Sequence, residues 1–318
     1  MIDSRHLTVY LQLVLAMFFF GLSFVFSALA LQTLPPITLI VFRLVVSTAI
    51  LLLFSRVSVV VRIVGSLQRP DRNDRRHFLM IAFFQPFLYF LAENTGLLYA
   101  SPAAAAIVVG TIPVATPVFA HFLIRERIGI ATVVGAILSF FGVLILVLSD
   151  AESGRSQPIG VLLVSGAVIA AVGYSIALRK LPDKYSAITV VTWQNVIGLL
   201  LFTPLLVLVD LPGFPAIGSL LFAGPEYDSL FQLIGAIVFL GVFPSTVSFV
   251  FLSRGIRILG ATRANVTTNL VPVFAALFSV LVLGERVYIG TVTGMAVVIC
   301  GVLLSQLSRL RARALVRR

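Results

Sequence analysis

Long apolar stretches alternate with short polar breaks along the whole chain. The apolar runs are continuous and lack a period-two alternation, which disfavours a β-barrel. Each run is roughly 20 residues long, the length of a helix that crosses a bilayer. The pattern predicts ten such helices, at about 8–31, 36–56, 78–98, 102–124, 129–149, 159–178, 187–209, 229–253, 260–283 and 288–308. Pro35-Pro36, Ser101-Pro102, Gln157-Pro158 and Leu181-Pro182 punctuate the connections, where helix starts and turns belong. The expected fold class is therefore an all-α membrane protein with ten transmembrane helices.

The apolar pattern occurs twice. Gly96 to Leu144 aligns without gaps on Gly255 to Leu303, with fourteen identities in about fifty positions. Pro113 falls on Pro272, Glu126-Arg127 on Glu285-Arg286, Gly135 on Gly294 and Gly142-Val143-Leu144 on Gly301-Val302-Leu303. Self-similarity on this scale signals a duplicated unit. The units are residues 7–149 and 159–307, followed by a basic tail at 308–318. Five helices per unit is an odd number, so the second copy enters the membrane from the opposite side. Inverted repeats of this kind suit alternating access.

Composition removes other classes. Hydrophobic residues make up 59% of the chain, charged residues 11%, and the mean hydropathy is +1.11. Soluble domains carry about 25% charged residues. The net charge of +11 does not point to nucleic acid, because the arginines lie between apolar runs. Arg56 to Arg76, Arg125, Arg127, Arg179, Lys180, Lys184, Arg254, Arg257 and the tail all fall on one side of the ten-helix frame; only Arg155 and Arg286 fall on the other. That bias predicts a multi-pass inner (plasma) membrane protein with both termini cytoplasmic. The basic loop 57–77 is expected to rest near anionic lipid. The first run is too long for a signal-peptide core of about 7–15 residues. Cys300 is the single cysteine, and His6, His77 and His121 have no metal-ligand spacing, so no metal or cofactor is expected. No intramembrane carboxylate pair, histidine cluster or activated nucleophile appears, so the chain does not read as an enzyme.

The few polar residues inside apolar runs are the candidate chemistry. Pro113 and Pro272 are expected to interrupt helices four and nine, either lining a midplane cavity or kinking the helices for packing alone. Asn265 and Asn269, with Thr268 beside them, would share one face of a regular helix, facing a solute or a neighbouring helix. Arg43 is the one cation well inside a run. It either attracts a carboxylate or phosphate, or it pairs with Glu93 or reaches back to the interface. Gln85, Tyr89 and Tyr174 are further lining candidates. Trp193 could stack on a solute or anchor at the interface, with Gln194 beside it at the position corresponding to Arg43. Glu126 and Glu285 sit at helix junctions, where a turn or gate could be fixed through neighbouring arginines. His121, near Arg125, reads as packed or solvated rather than as a proton relay. The glycines of helices five and ten read as packing residues.

With its paired Pro113 and Pro272, Glu126-Arg127 and Glu285-Arg286, and repeated glycines, the chain resembles the EamA-domain type of the drug/metabolite transporter superfamily over nearly its full length. The resemblance implies a permease for small organic solutes, often outward. The first helix carries no acid, so it departs from the small four-helix multidrug branch, which relies on a glutamate there. The solute expected from the amide- and aromatic-rich lining is an amino acid or a similar zwitterionic or neutral metabolite. The alternatives are an anionic metabolite exchanger, of sugar-phosphate or nucleotide-sugar type, and a non-transporting receptor or scaffold. The expected partners are the small-molecule solute and the lipid bilayer, with a monomer or homodimer as the assembly.

Overall fold

The computed structural model describes residues 4–124, 130–152, 156–210, 227–259, 264–265, 267–284 and 288–316. Among these there is helix and loop and no strand. The helices are α1 (Ser4–Leu31), α2 (Pro36–Phe54), α3 (Ser58–Val64), α4 (Arg75–Ala82), α5 (Tyr89–Gly96), α6 (Pro102–Val109), α7 (Ile112–Ile124), α8 (Ile130–Glu152), α9 (Pro158–Lys180), α10 (Ala187–Leu205), α11 (Tyr227–Val242), α12 (Phe249–Leu259), α13 (Leu270–Leu283) and α14 (Ile289–Val316). Five are long and apolar enough to cross a membrane: Leu7–Leu31, Pro36–Phe54, Pro158–Lys180, Ala187–Asp210 and Leu230–Leu259. Four shorter apolar helices accompany them, at Pro102–Thr116, Val133–Ile145, Thr267–Leu283 and Ile289–Leu304. Helix α14 continues through the start of the expected basic tail.

Pro36, Pro102 and Pro158 each open a helix, where a missing N–H leaves no hydrogen bond unmade. Other prolines break helices. A wide π-helical turn at Phe83–Leu88 separates α4 from α5, and Gln85 within it is extended rather than helical. A second at Phe243–Ser248 separates α11 from α12. These two interruptions fall at corresponding places in the two halves, and the sequence reading did not anticipate them.

Pro113 and Pro272 are not mid-helix kinks. Each lies in the first turn of a new helical segment, α7 or α13. The first break is at Gly110 and Thr111. The second is preceded by a 3₁₀ turn at Thr267–Asn269. The breaks touch: a Cβ on Gly110 would lie 2.6 Å from Pro272 Cγ.

Helices α8 and α14 form the most extensive helix pair. A Cβ on Gly142 would lie 2.7 Å from the Val298 amide, and one on Gly301 would lie 2.6 Å from the Gly135 carbonyl. The paired glycines thus let two backbones approach closely, as small residues do between membrane helices.

Polar contacts gather at the two helix ends. At one end the loop 65–74 docks on residues 182–189. Lys184 Nζ lies 2.6 Å from Asp71 and 2.8 Å from Asp74. The Tyr185 hydroxyl donates to Asp74 at 2.8 Å, and Arg257 donates to the Tyr185 carbonyl. At the opposite end Asp210 accepts from both the amide and the hydroxyl of Thr38 at 2.8 Å.

Candidate functional site

A cavity of about 60 Å³ lies between the two halves. It holds about four waters, at roughly 15 Å³ each. Its wall is apolar where α1, α6, α12 and α13 contribute Phe20, Phe24, Val109, Phe249 and Val271. Its polar wall comes from Arg43 on α2, Gln85, Tyr89 and Glu93 around the first π-turn, Tyr174 and Ser175 on α9, and Asn265 and Thr268 at the second helix break. The breaks bring these groups in. A backbone that leaves the regular helix is tolerated at membrane depth where it is buried in protein or lines a cavity.

Arg43 is 1% exposed and does not reach back to the interface. Its Nε donates to the Ser245 hydroxyl at 3.0 Å, and its guanidinium carbon sits 4.0 Å above the centre of the Phe90 ring. Its Nη1 is buried and has no protein partner among the described residues. Glu93, 4% exposed, accepts from the Tyr89 hydroxyl at 3.1 Å. Arg43 and Glu93 both line the cavity, with no hydrogen bond or ion pair between them. The site thus brings a guanidinium and a carboxyl group to one small cavity, with the Tyr174 hydroxyl also buried and without a partner among the described residues.

A hydrogen-bonded chain fixes Arg43 from behind. Asn195 donates to the Ser47 hydroxyl at 2.8 Å, Ser47 donates to the Ser245 carbonyl at 3.0 Å, and Thr246 donates to the Gly241 carbonyl at 2.8 Å. Ser245 and Thr246 lie in the second π-turn, where Pro244 offers no amide hydrogen. Side-chain hydroxyls thus bond the carbonyls of Gly241 and Ser245 at this break. Ser47, Asn195, Ser245, Thr246, Phe90 and Ser175 were all missed as site residues. Pro86 and Pro244, inside apolar runs at matching places in the two halves, were the available signal.

Other expected residues lie elsewhere. Asn269 does not share a face with Asn265, because residues 267–269 turn at three residues per turn, which aligns Asn265 with Thr268 instead. Both of those do line the cavity. Pro272 packs on Gly110, and neither Pro113 nor Pro272 lines the cavity. Gln194 lies one turn before Gly198 on the α10 face that packs against Pro86 and Leu44, so it points between helices rather than into the cavity. The Trp193 indole donates to the Gln68 carbonyl at 3.0 Å, and its ring faces the end of the molecule where loop 65–74 docks. Glu126 and Glu285 lie outside the described residues, as does the side chain of His121. No cluster of three or more metal-ligating side chains occurs among the described residues.

Outside the apolar helices, Asp74 is held below the ordinary carboxylate value of 3.8, first by the hydrogen bond from Lys184 and then by that from Tyr185. Lys184 is raised by its hydrogen bonds to Asp71 and Asp74.

The chain matches the EamA-like transporter family twice, over residues 7–148 and 158–307. It is similar to an uncharacterized transporter of Archaeoglobus fulgidus, 26% identical over 294 residues, covering 92% of this chain and 96% of the relative. It is also similar to the uncharacterized transporter YcxC of Bacillus subtilis, 25% identical over 312 residues, covering 97% and 96%. A solved crystal structure superposes with a TM-score of 0.56 at 21% identity, covering 92% of this chain and 98% of that one. At that identity the likeness speaks for the fold alone.

Proposed function

The chain belongs to the EamA-like transporter family, and from that premise we propose that it exports a small zwitterionic metabolite of amino-acid type by alternating access. In this reading ten helices cross an inner membrane as two inverted five-helix repeats with both termini cytoplasmic. The docked loops 65–74 and 182–189 then lie on the cytoplasmic side. One chain encloses the cavity, so a monomer, or a homodimer of independent units, suffices.

The observation that carries the reading is the pairing of Arg43 and Glu93 on one enclosed surface. A carboxylate would meet the unspent Nη1 of Arg43, and an ammonium would meet Glu93 and Tyr89. Charge-assisted hydrogen bonds of this kind are about twice as strong as neutral ones. A dianionic phosphate ester would be repelled by Glu93, which argues against the anionic exchanger. In this reading the cavity's small volume corresponds to a state between outward and inward opening. Solute-stimulated counterflow in proteoliposomes tests this. Vesicles are preloaded in turn with amino acids, sugar phosphates or nucleosides and challenged with a labelled trace of each. Accumulation confined to amino acids is expected; accumulation confined to sugar phosphates would overturn the assignment.

A further inference from the structure

A second pocket, of about 350 Å³, opens where loop 65–74 meets α4 and α10. It is lined by Arg69, Pro70, Arg75, Phe78, Trp193 and Ile197. Among the described residues neither arginine forms an ion pair or a hydrogen bond. The loop's acids pair elsewhere: Asp71 and Asp74 both contact Lys184 and neither forms an ion pair with Arg69 or Arg75. Depth orders the lining. Arg69 and Arg75 lie at the mouth, Phe78 is about one turn further along α4, and Ile197 is one turn beyond Trp193 on α10. Leu79, Met80 and Phe83 are exposed apolar residues on the same stretch of helix, outside the pocket lining itself. The bond from Trp193 to the Gln68 carbonyl fixes the indole. Cations above, an aromatic ring at the interface and an apolar floor below reproduce the polarity profile of a phospholipid.

We propose that this pocket binds an anionic phospholipid of phosphatidylglycerol class, with the headgroup phosphate between Arg69 and Arg75 and the upper acyl carbons against Trp193 and Ile197. The assignment needs this end of the molecule to lie at a membrane surface and is independent of the solute. Each arginine near such a surface is expected to favour an anionic lipid by about fivefold, and the pair by roughly 30-fold.

Trp193 is the single tryptophan of the chain, so intrinsic fluorescence reports on this pocket. The full-length protein in phosphatidylcholine nanodiscs is titrated with acyl-brominated phosphatidylglycerol or with acyl-brominated phosphatidylcholine. The anionic lipid is expected to quench Trp193 at a mole fraction about 30-fold lower. R69Q/R75Q should abolish that preference and R69K/R75K should keep most of it. R72Q/R76Q removes the same charge from the same segment outside the pocket and should leave the preference in place. Equal quenching by the two lipids in the unmodified protein overturns the proposal without recourse to any variant. Loss of the preference in R72Q/R76Q to the same extent as in R69Q/R75Q reduces the effect to diffuse surface charge and overturns the pocket. Reversal of quenching by millimolar glycerol phosphate assigns the pocket to a soluble phosphate ester and overturns the lipid.

Discussion

Replacing Arg43 by Gln removes the cavity's positive charge while leaving a polar side chain in its wall. A hydrogen bond between a charged donor and a carboxylate contributes about 1.5–3 kcal/mol. At about 1.4 kcal/mol per tenfold, that loss raises the half-saturating concentration of a transported amino acid about 10- to 150-fold. Arg43 also supports structure, since its Nε holds Ser245 and its guanidinium covers Phe90. Ser245→Ala isolates the first of those roles. It removes a neutral partner and keeps the charge, at about 0.6 kcal/mol for an average hydrogen bond between membrane helices, or roughly threefold. The assay is competition in counterflow, comparing the amino acid with its decarboxylated amine. Arg43→Gln should weaken the amino acid by the full factor and leave the amine unchanged. If both weaken equally, Arg43 acts through the architecture and carboxylate recognition is refuted. If neither changes, the cavity is not the solute site.

Three other outcomes follow from the same geometry. Asp74 is held below its ordinary value, so its contribution is complete above about pH 4 and is lost as pH falls through the folded value; Lys184, raised, loses its contribution only at strongly alkaline pH. Protection factors for hydrogen exchange over residues 66–74, taken against the intrinsic rate at each pH, should therefore hold from pH 5 to 8 and fall in acid, and Asp74→Asn should lower them at neutral pH. Gly142→Leu forces side-chain atoms against Val298 and should lower stability by about 1–3 kcal/mol in a thermal melt, whereas Gly235→Ala, with nothing within 4 Å, should leave the melt unchanged. Tyr174→Phe removes a buried hydroxyl that lacks a protein partner, so stability should hold or rise while solute half-saturation increases several-fold; a loss of stability would show that the hydroxyl is structurally engaged.

The all-helical class was legible because apolar length is a local property; among the described residues five helices are long and apolar enough to cross a membrane and four apolar ones are shorter, against ten expected. Arg43 and Glu93 stand out in the sequence, since a charge inside an apolar run is conspicuous whatever it touches, and both line the cavity. The partners of Arg43 were not legible. Ser245 is 202 residues away, and nothing around a serine in an apolar run says which helix it faces. Asn265 and Asn269 failed for a different reason: spacing gives a shared face only if the helix is regular, and the chain tightens into a 3₁₀ turn there. Trp193 was read as a solute or interface residue, and its ring faces the pocket bounded by Arg69 and Arg75. The prolines had two fates. Pro113 and Pro272 marked the right neighbourhood but begin helices, while Pro86 and Pro244, given no weight, lie within the wide turns.

The contact between Gly110 and Pro272 joins the two broken helices at the point where each changes direction. A glycine pressed on a proline ring has no rotamer with which to absorb displacement. In the alternating-access cycle proposed above, the crossing would serve as a pivot with little backlash, through which tilting one broken helix would carry the other. Gates on the two faces would then be ends of a single rocking beam, and that proposed cycle would never leave a continuous water path through the membrane.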